Sequence, residues 1–586
     1  MSWVPWSLSH GHDPLFTTRL LAGQGGANLL ESTSYLLPSF ALAPITWLFG
    51  STVSFNVAET LGPVLSGWAM YAAAGRLTRR WVARAAAAVG YGFSPFVIGF
   101  VEYGHINFSW LWFPPLLFLA CHELFVGERS SLGVGALMGL SVVLEFFTGT
   151  EPLLMTVLVG AFAVLCAIAI APRRAWERRR RLLAGFGVGA GVSTALLAYP
   201  LWYLTHGPRR VVGQPWPFVS ILGNTIGSVV HPGPIHSSAQ FIRLIGYFGP
   251  IGPDGAFLGW WLLGFLAASL PLFVVLRRHV AWPIALSGIV AWLCSLGPVR
   301  LPSLSSAWWL PWSHVLRWPL LQEITPGRFS FLVAASAMLL LALALDCWAE
   351  VLTRWIAVAR ATSARRAGTA RTVSSAFMVA IALFVGLPTA TTYSFPLTMH
   401  SDGVPPWFTT TARHLAPGTE VLTYPYASSD VPDAMYWQAM DGLRFSLVGG
   451  RALIPGADGR HSVHVDPLGG TVAVLMDSSF GNGTPPPPTA AQVRELRASL
   501  HRWKVDVAVV AAAGRSPTWA LAWFAEALGQ LPVMQHGAAV FWIRDEGPRP
   551  VVLPPGDVDR CDGLPAAARA LVAARRCLAP DFGNAR

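Results

Sequence analysis

Apolar segments of about 20 residues recur through the first two thirds of the chain, and each is long enough to cross a bilayer core of about 30 Å. Charged residues make up only 12% of the 586 residues, about half the share typical of soluble domains. A single soluble domain is therefore excluded, and a polytopic α-helical membrane protein with about ten crossings is predicted. The predicted spans are 53–74, 82–101, 107–125, 131–148, 152–171, 183–205, 255–276, 280–297, 330–351 and 374–393.

Arginines cluster in alternate loops between these spans. Cytoplasmic loops carry an excess of basic residues, so this side is predicted to face the cytoplasm. The same rule accounts for the net charge of +11, and no nucleic acid is needed to explain it. Lys504 is the only lysine, which indicates a GC-rich bacterial source. The arginines of this side are Arg76, Arg79, Arg80, Arg84, Arg129, Arg173, Arg174, Arg178 to Arg181, Arg277, Arg278, Arg354, Arg360, Arg365, Arg366 and Arg371.

The opposite side is predicted to be extracytoplasmic. It receives the N-terminal segment, two long loops and everything after about residue 394. Residues 36–50 are apolar but short, and Pro38 and Pro44 interrupt them, so we expect a helix lying along the outer interface. The predicted domains are an extracytoplasmic loop with this interfacial helix at 1–52, a transmembrane helical domain at 53–393 and an extracytoplasmic α/β domain at 394–586.

The sequence pattern of the last third is that of an α/β domain. Segments 420–425, 505–511 and 538–544 are predicted strands, and 490–503 and 517–529 are predicted amphipathic helices. Of the six cysteines, Cys561 and Cys577 lie in the polar tail, 16 positions apart, without a zinc-binding pattern. Outside the cytosol these two would form a disulfide.

Acids, histidines, one asparagine and one arginine lie at the predicted outer ends of the predicted spans. Ionisable groups at a membrane boundary are costly unless they are paired or functional, so their convergence is the best sequence evidence for a site. Common motifs for nucleotide binding or zinc hydrolysis are absent. The group comprises His10, His12, Asp13, Glu31, Glu102, His105, Asn107, Glu145, Glu151, His231, His236, Glu323 and Arg328.

Structural roles are equally open for several of these residues. Asp13 precedes Pro14 and could only start a turn. His105 and Asn107 could cap the helix that follows. Glu151 precedes Pro152, a frequent arrangement at a helix start, although its position at the membrane edge favours function.

One arginine at the start of a predicted span runs against the charge rule. Arg328 begins a span from that side, and an anionic ligand such as a lipid phosphate would explain it, with Arg243 as the next candidate. A salt bridge from Arg328 to Glu323 is the alternative. Glu59 lies inside the first span, where a hydrogen bond to another span is expected.

The segment YPYASSDVPDAMYWQAM combines aromatic and acidic residues. Sugars stack on aromatic faces, so Tyr424 and Trp437 are candidate glycan contacts. Packing in the core of a small domain explains these aromatic residues equally well.

Several segments appear in the order found in the GT-C superfamily of membrane glycosyltransferases. They are HGHDPLF, the interfacial LLPSFALAPITWLFG, a span ending in GRLTRR, and GYGFSPFVIGFVEYGHIN. Over about residues 8–200 this layout resembles the actinobacterial, polyprenyl-phosphate-sugar-dependent members. The resemblance implies inverting transfer of a sugar, with an acidic base just after a first span. Here Met1 falls where the external loop would already have begun, so that span is expected to be lacking.

Transfer from a lipid phosphate requires a base near the acceptor hydroxyl and positive charge near the leaving phosphate. Asp13, Glu102 or Glu151 could supply the base, and Arg328 or Arg243 the charge. His105, Asn107, Glu323, Tyr424 and Trp437 complete the predicted substrate contacts. A divalent metal could assist through carboxylates, but no ligand set is specific.

The favoured hypothesis is a membrane glycosyltransferase of the bacterial cell envelope. Its predicted partners are a polyprenyl-phosphate sugar donor, a glycan or lipid acceptor and the lipid bilayer. A transporter or flippase of a lipid-linked sugar is the main alternative, although no internal repeat of the kind common in transporters is evident. A non-catalytic envelope assembly protein is the third.

Overall fold

The computed structural model describes residues 1–32, 34–213, 222–231, 257–298, 309–315, 318, 320–359, 365–390, 403–428, 431–456, 489–511 and 517–543. Most of these residues are helical. Among them, five helical stretches are long and apolar enough to cross a membrane, which confirms the coarse prediction of several membrane-crossing helices. They are Trp81–Glu102, Thr150–Ile170, Arg179–His206, Trp260–Ser295 and Pro326–Ile356.

The described residues between 1 and 206, which omit position 33, contain twelve α-helices. They are α1 (Trp3–His10), α2 (Leu36–Ala41), α3 (Ala43–Phe49), α4 (Ser51–Ala74), α5 (Trp81–Gly92), α6 (Pro95–Glu102), α7 (Ile106–Ser109), α8 (Phe113–Phe125), α9 (Ser131–Phe146), α10 (Thr150–Ile170), α11 (Pro172–Glu177) and α12 (Arg179–His206). The later described helices are α13 (Trp260–Leu272), α14 (Arg278–Ser295), α15 (Pro311–Val315), α16 (Ser330–Ala359), α17 (Arg365–Ala390), α18 (Pro406–Thr409), α19 (Asp433–Met440), α20 (Ala490–Arg502) and α21 (Pro517–Leu528).

The predicted span at 82–101 is divided into α5 and α6 by a break at Phe93 and Ser94. A proline disfavours helical geometry at the residue before it. Pro95 therefore keeps Ser94 out of the helix and separates α5 from α6. The Ser94 hydroxyl starts α6 by accepting a hydrogen bond from the Val97 N–H.

The predicted interfacial segment 36–50 forms two short helices, α2 and α3, and not one. Pro44 lies in the first turn of α3, where its missing N–H costs nothing. Phe40, Trp47, Leu48 and Phe49 are exposed.

Helix α16 lies at the centre of the helical bundle, because its first half is buried on all sides. The α14 helix runs antiparallel to it: Gly288 of α14 approaches Ser336, and Arg277, just before α14, pairs with Asp346 and Glu350. Arg328 and Asp346 are 18 positions apart, which corresponds to about 27 Å of helix. That length is close to the thickness of a bilayer core.

Loop arginines gather around Asp346, near the middle of α16. Asp346 accepts a hydrogen bond from Thr78 (2.7 Å) and pairs with Arg80 (3.4 Å) and Arg277 (3.5 Å). Arg76 pairs with Glu123 of α8 at 2.9 Å. These loops were predicted to share one side, and Arg328 lies in the turn just before α16, 18 positions away from Asp346.

The C-terminal part contains a five-stranded sheet in the order β4-β3-β5-β7-β6. Strand β3 is parallel to β4 and β5, whereas β7 is antiparallel to β5 and β6. Both faces are covered, as the fully buried β5 requires. The strands are β3 (Glu420–Tyr424), β4 (Ser446–Leu447), β5 (Val507–Ala511), β6 (Val533–Gln535) and β7 (Ala538–Trp542), after a short hairpin of β1 (Phe16–Thr17) and β2 (Ala27–Asn28).

The N-terminal segment connects this sheet to the membrane helices. The Leu447 N–H donates to the Arg19 carbonyl (2.8 Å), and the Leu453 N–H donates to the Ser32 hydroxyl (2.8 Å). On the other side, the Leu37 N–H donates to the carbonyl of Phe147, just after α9 (2.9 Å). The described residues between 19 and 37 therefore connect the C-terminal sheet to the helix end at Phe147.

Candidate active site

Arg328 and Glu151 meet where α10 and α16 begin. The Arg328 guanidinium donates to Oε2 of Glu151, and the Thr325 N–H donates to Oε1 at 2.9 Å. Glu151 lies in the first turn of its helix, where a negative charge is favourable. Both oxygens of this carboxylate are therefore engaged in holding the turn that carries Arg328.

Aromatic rings flank the Arg328 side chain. Its guanidinium carbon lies 4.8 Å from the centre of the Phe108 ring and 5.9 Å from that of Phe100. A quarter of the Arg328 side chain is exposed. A cation held between aromatic rings and a carboxylate, yet still open to one side, is suited to an anionic ligand.

An open cleft lies beside this ion pair, with about 500 Å³ of unfilled space that includes open solvent. One wall is formed by residues 29–32 and 34–36, and the other by the segment from Phe146 to Glu151. Asn107 also lines it, and among the described residues its buried Oδ1 has no hydrogen-bond partner. The lining of the cleft therefore includes several polar residues, among them Glu31, Asn107 and Glu151.

Glu31 is the second acid that lines this cleft. Its Oε1 accepts a hydrogen bond from the Val211 N–H at 3.2 Å, and no described residue bonds to Oε2. Burial raises the pKa of Glu31 to about 7, although this hydrogen bond and the charge of Arg210 act in the opposite direction. A carboxyl group that titrates near neutral pH is suited to accept a proton.

His105 carries no positive charge at neutral pH. Burial, together with the charges of Arg328 and Arg451, lowers the pKa of His105 to about 4. Its side chain makes no capping hydrogen bond to the helix that follows, so the capping alternative for His105 is wrong. Only its backbone carbonyl accepts bonds there, from the N–H groups of Phe108 and Ser109.

Glu323 does not pair with Arg328, so the salt bridge considered from the sequence is wrong. The partner is Glu151. Burial raises the pKa of Glu323 to about 7, and the charge of Glu151 adds to this effect. Glu323 is near the ion pair without being part of it.

The other predicted acids lie away from the cleft. Asp13 bridges α12 and its own turn: Oδ1 accepts from the Leu15 N–H (2.8 Å) and Oδ2 from the Tyr203 hydroxyl (3.2 Å). Glu102 is exposed at the end of α6 and does not line the cleft. Glu59 accepts a hydrogen bond from Ser109 at 3.0 Å, which confirms its predicted link to another helix.

Tyr424 and Trp437 belong to the core of the C-terminal part. Their exposed fractions are 0% and 1%, and Trp437 packs against Phe408. Their ring faces therefore contact protein, and the predicted stacking on a sugar is wrong. Arg243, His236, Cys561 and Cys577 lie outside the described residues.

Two features of the site had no signal in the sequence. Tyr35 lines the cleft, and Arg451 acts electrostatically on both Tyr35 and His105. Arg451 is more than 300 positions from His105 and comes close only because the segment at Leu453 is bonded to Ser32. Within the described part of the chain, no three metal-ligating side chains form a group able to hold a metal ion.

No protein-family model and no curated protein matches the chain. Three solved structures have a similar outline. The arabinofuranosyltransferase AftD from Mycobacteria is 16% identical with a TM-score of 0.49, over 92% of this chain and 37% of that one. An Archaeoglobus fulgidus oligosaccharyltransferase in the apo form is 13% identical with a TM-score of 0.45, over 87% of this chain and 65% of that one.

The third is the Archaeoglobus fulgidus oligosaccharyltransferase AglB in complex with an inhibitory peptide and a dolichol-phosphate. It is 12% identical with a TM-score of 0.38, over 87% of this chain and 64% of that one. The chain thus spans between 37% and 65% of the length of these structures. The overlap is too loose to assign an activity, which has to be argued from the site.

Proposed function

We propose that this chain transfers a sugar from a polyprenyl phosphate to a glycan or lipid acceptor at the extracytoplasmic face of the membrane. The observation that carries the proposal is Arg328, a partly exposed cation at the end of the apolar helix α16, beside a polar cleft. The apolar tail of such a donor would lie in the bilayer and its phosphate near this helix end. A guanidinium matches the geometry of phosphate oxygens.

Glu151 would act as a positioning residue. A guanidinium has five N–H donors, and Glu151 occupies only Nη1 of Arg328 in the described contacts. The remaining donors can bind phosphate oxygens while the carboxylate keeps the side chain in place. Positive charge at the leaving phosphate stabilises the charge that develops as the sugar departs.

Glu31 is the best candidate for the base, in place of Asp13, Glu102 and Glu151. Asp13 and Glu151 have both oxygens hydrogen-bonded, and Glu102 lies outside the cleft. In the proposed step Glu31 takes the proton of the acceptor hydroxyl, and that oxygen bonds to the anomeric carbon. The bond from this carbon to the phosphate oxygen breaks, and its electron pair stays on the phosphate.

The test uses membranes that contain the protein and a polyprenyl phosphate carrying a labelled sugar. We expect acceptor-bound label with the wild-type chain, and a loss of about 100-fold or more with Arg328→Gln. The control is Arg354→Gln, since Arg354 lies near the opposite end of α16 and pairs with Glu350. A lipid-linked sugar that crosses the bilayer without being transferred would favour the flippase instead.

A further inference from the structure

Helix α20 presents two contrasting faces. Val493, Leu496 and Leu500 point into the domain core and are buried. The outward side carries Arg494, Arg497, His501 and Arg502, all of them exposed. A capping box between Thr489 and Gln492 fixes the start of the helix. The burial of the apolar face holds the basic face in one orientation toward solvent.

The basic residues line an open groove together with Ala498. We call this surface, lined by Arg494, Arg497, Ala498, His501 and Arg502, the basic groove; it contains about 880 Å³ of unfilled space that includes open solvent. Within the described part of the chain, none of its three arginines forms an ion pair.

Part of the groove is held in place before any ligand binds. Nε of Arg497 donates to the Ala527 carbonyl at 2.7 Å, and Nη2 of Arg502 donates to the Ser499 hydroxyl at 3.2 Å. Arg494 is exposed. Fixed side chains lose less conformational freedom on binding, which favours a specific contact over a diffuse one.

We infer that the basic groove binds an extended anionic polysaccharide bearing carboxylate or sulfate groups. Arg494 and His501 are seven positions apart, about 10 Å along the helix, so one small anion cannot contact both ends of the groove. The groove is shallow and open, as a surface that a polymer crosses would be. Each basic side chain would contact a separate charge of the same chain.

A membrane surface fits these residues less well. Helices that bind at the lipid interface insert large apolar side chains. In α20 those side chains are buried in the core, and the small Ala498 is the one apolar residue lining the groove. Recognition would thus depend on charge, and salt should weaken it strongly. This binding does not require that the chain transfer sugars.

The test measures binding of the purified full-length chain to dextran sulfate, polygalacturonate and neutral dextran of similar length. We expect binding of one or both charged polymers at low salt, and none of neutral dextran. Arg494→Gln should weaken binding about 3-fold, and Arg494→Gln with Arg502→Gln about 10-fold. The matched control is Arg413→Gln, an exposed arginine of the same region outside the groove.

Preference for sulfate over carboxylate groups, or the reverse, identifies the anionic chemistry. Equal binding of neutral dextran would overturn the inference, and so would equal losses in Arg494→Gln and Arg413→Gln. Phosphatidylglycerol vesicles form a further arm. Binding to these vesicles with no binding to either charged polymer would assign the groove to lipid and contradict the inference.

Discussion

Arg328 donates a hydrogen bond to Glu151 across 177 positions of sequence, and this bond joins the starts of α10 and α16. The Thr325 N–H binds the same carboxylate, so the whole turn before α16 is attached to α10. The guanidinium remains partly exposed beside the cleft. One ion pair thereby fixes both a helix junction and the position of the proposed phosphate contact.

Glu151→Gln should lower kcat for transfer by about 10- to 100-fold, because Arg328 loses the charge that positions it. The KM for donor should change much less, since the arginine itself remains. Steady-state kinetics with the lipid-phosphate donor measure both constants. Glu323→Gln is the control: it removes a nearby acid that does not pair with Arg328. Equal effects of the two variants would disprove the positioning role.

The transfer rate should rise with pH through about 7 and level off above it. Glu31 has its pKa raised to about 7 by burial, and it can accept a proton only after it has ionised. Glu31→Gln should lower the rate and remove this rise while leaving donor binding intact. Glu323 also titrates near 7, so Glu323→Gln should keep the rise. If the rise of the transfer rate with pH persists in Glu31→Gln, another residue must act as the base.

The bond between Asp13 and Tyr203 should matter for stability and not for transfer. Tyr203→Phe removes the hydroxyl that donates to Asp13 and should cost about 1 kcal/mol. Thermal unfolding of the purified chain measures the loss, and a double-mutant cycle with Asp13→Ala isolates the pair. Transfer should stay within about twofold of wild type for the single Tyr203→Phe change. A loss of transfer activity without a loss of stability would contradict this prediction and indicate that Asp13 takes part in transfer.

Asp346→Asn should destabilise the end of the bundle opposite the site. Its carboxylate bonds Thr78 and pairs with Arg80 and Arg277, and its side chain is only 14% exposed. Because the arginines are partly solvated, we expect the free energy of unfolding to fall by about 2 kcal/mol. Glu128→Gln, at an exposed pair with Arg178, should leave thermal unfolding unchanged. Equal melting curves for the two variants would contradict this difference.

Much of the fold follows from local sequence signals. Strands β3, β5 and β7 and helices α20 and α21 fall within a few residues of their predicted ends, because alternation and helical periodicity mark them. The short strands β4 and β6 and the short helices α18 and α19 were not predicted. The break between α5 and α6 was not predicted, although Pro95 supplies its cause. Apolar length alone does not distinguish one span from two helices in line.

The site was predicted in part. The charge rule identified Arg328 as an exception, because an arginine on the outer side needs a reason to be there. The alternative considered from the sequence, a salt bridge to Glu323, is wrong because helix packing brings Glu151 to Arg328 instead. Tyr424 and Trp437 show the limit of composition: aromatic residues that suit a sugar also suit a core, and only burial separates the two uses.

The most direct test of the central claim counts both products of one reaction. Membranes containing the chain receive a polyprenyl phosphate with a labelled sugar, and the transferred sugar and the released polyprenyl phosphate are measured together. We predict equal amounts of the two products, with both falling about 100-fold or more in Arg328→Gln. Absence of both products in the wild type, or the same yield in Arg328→Gln, would contradict the assignment of this cleft to glycosyl transfer.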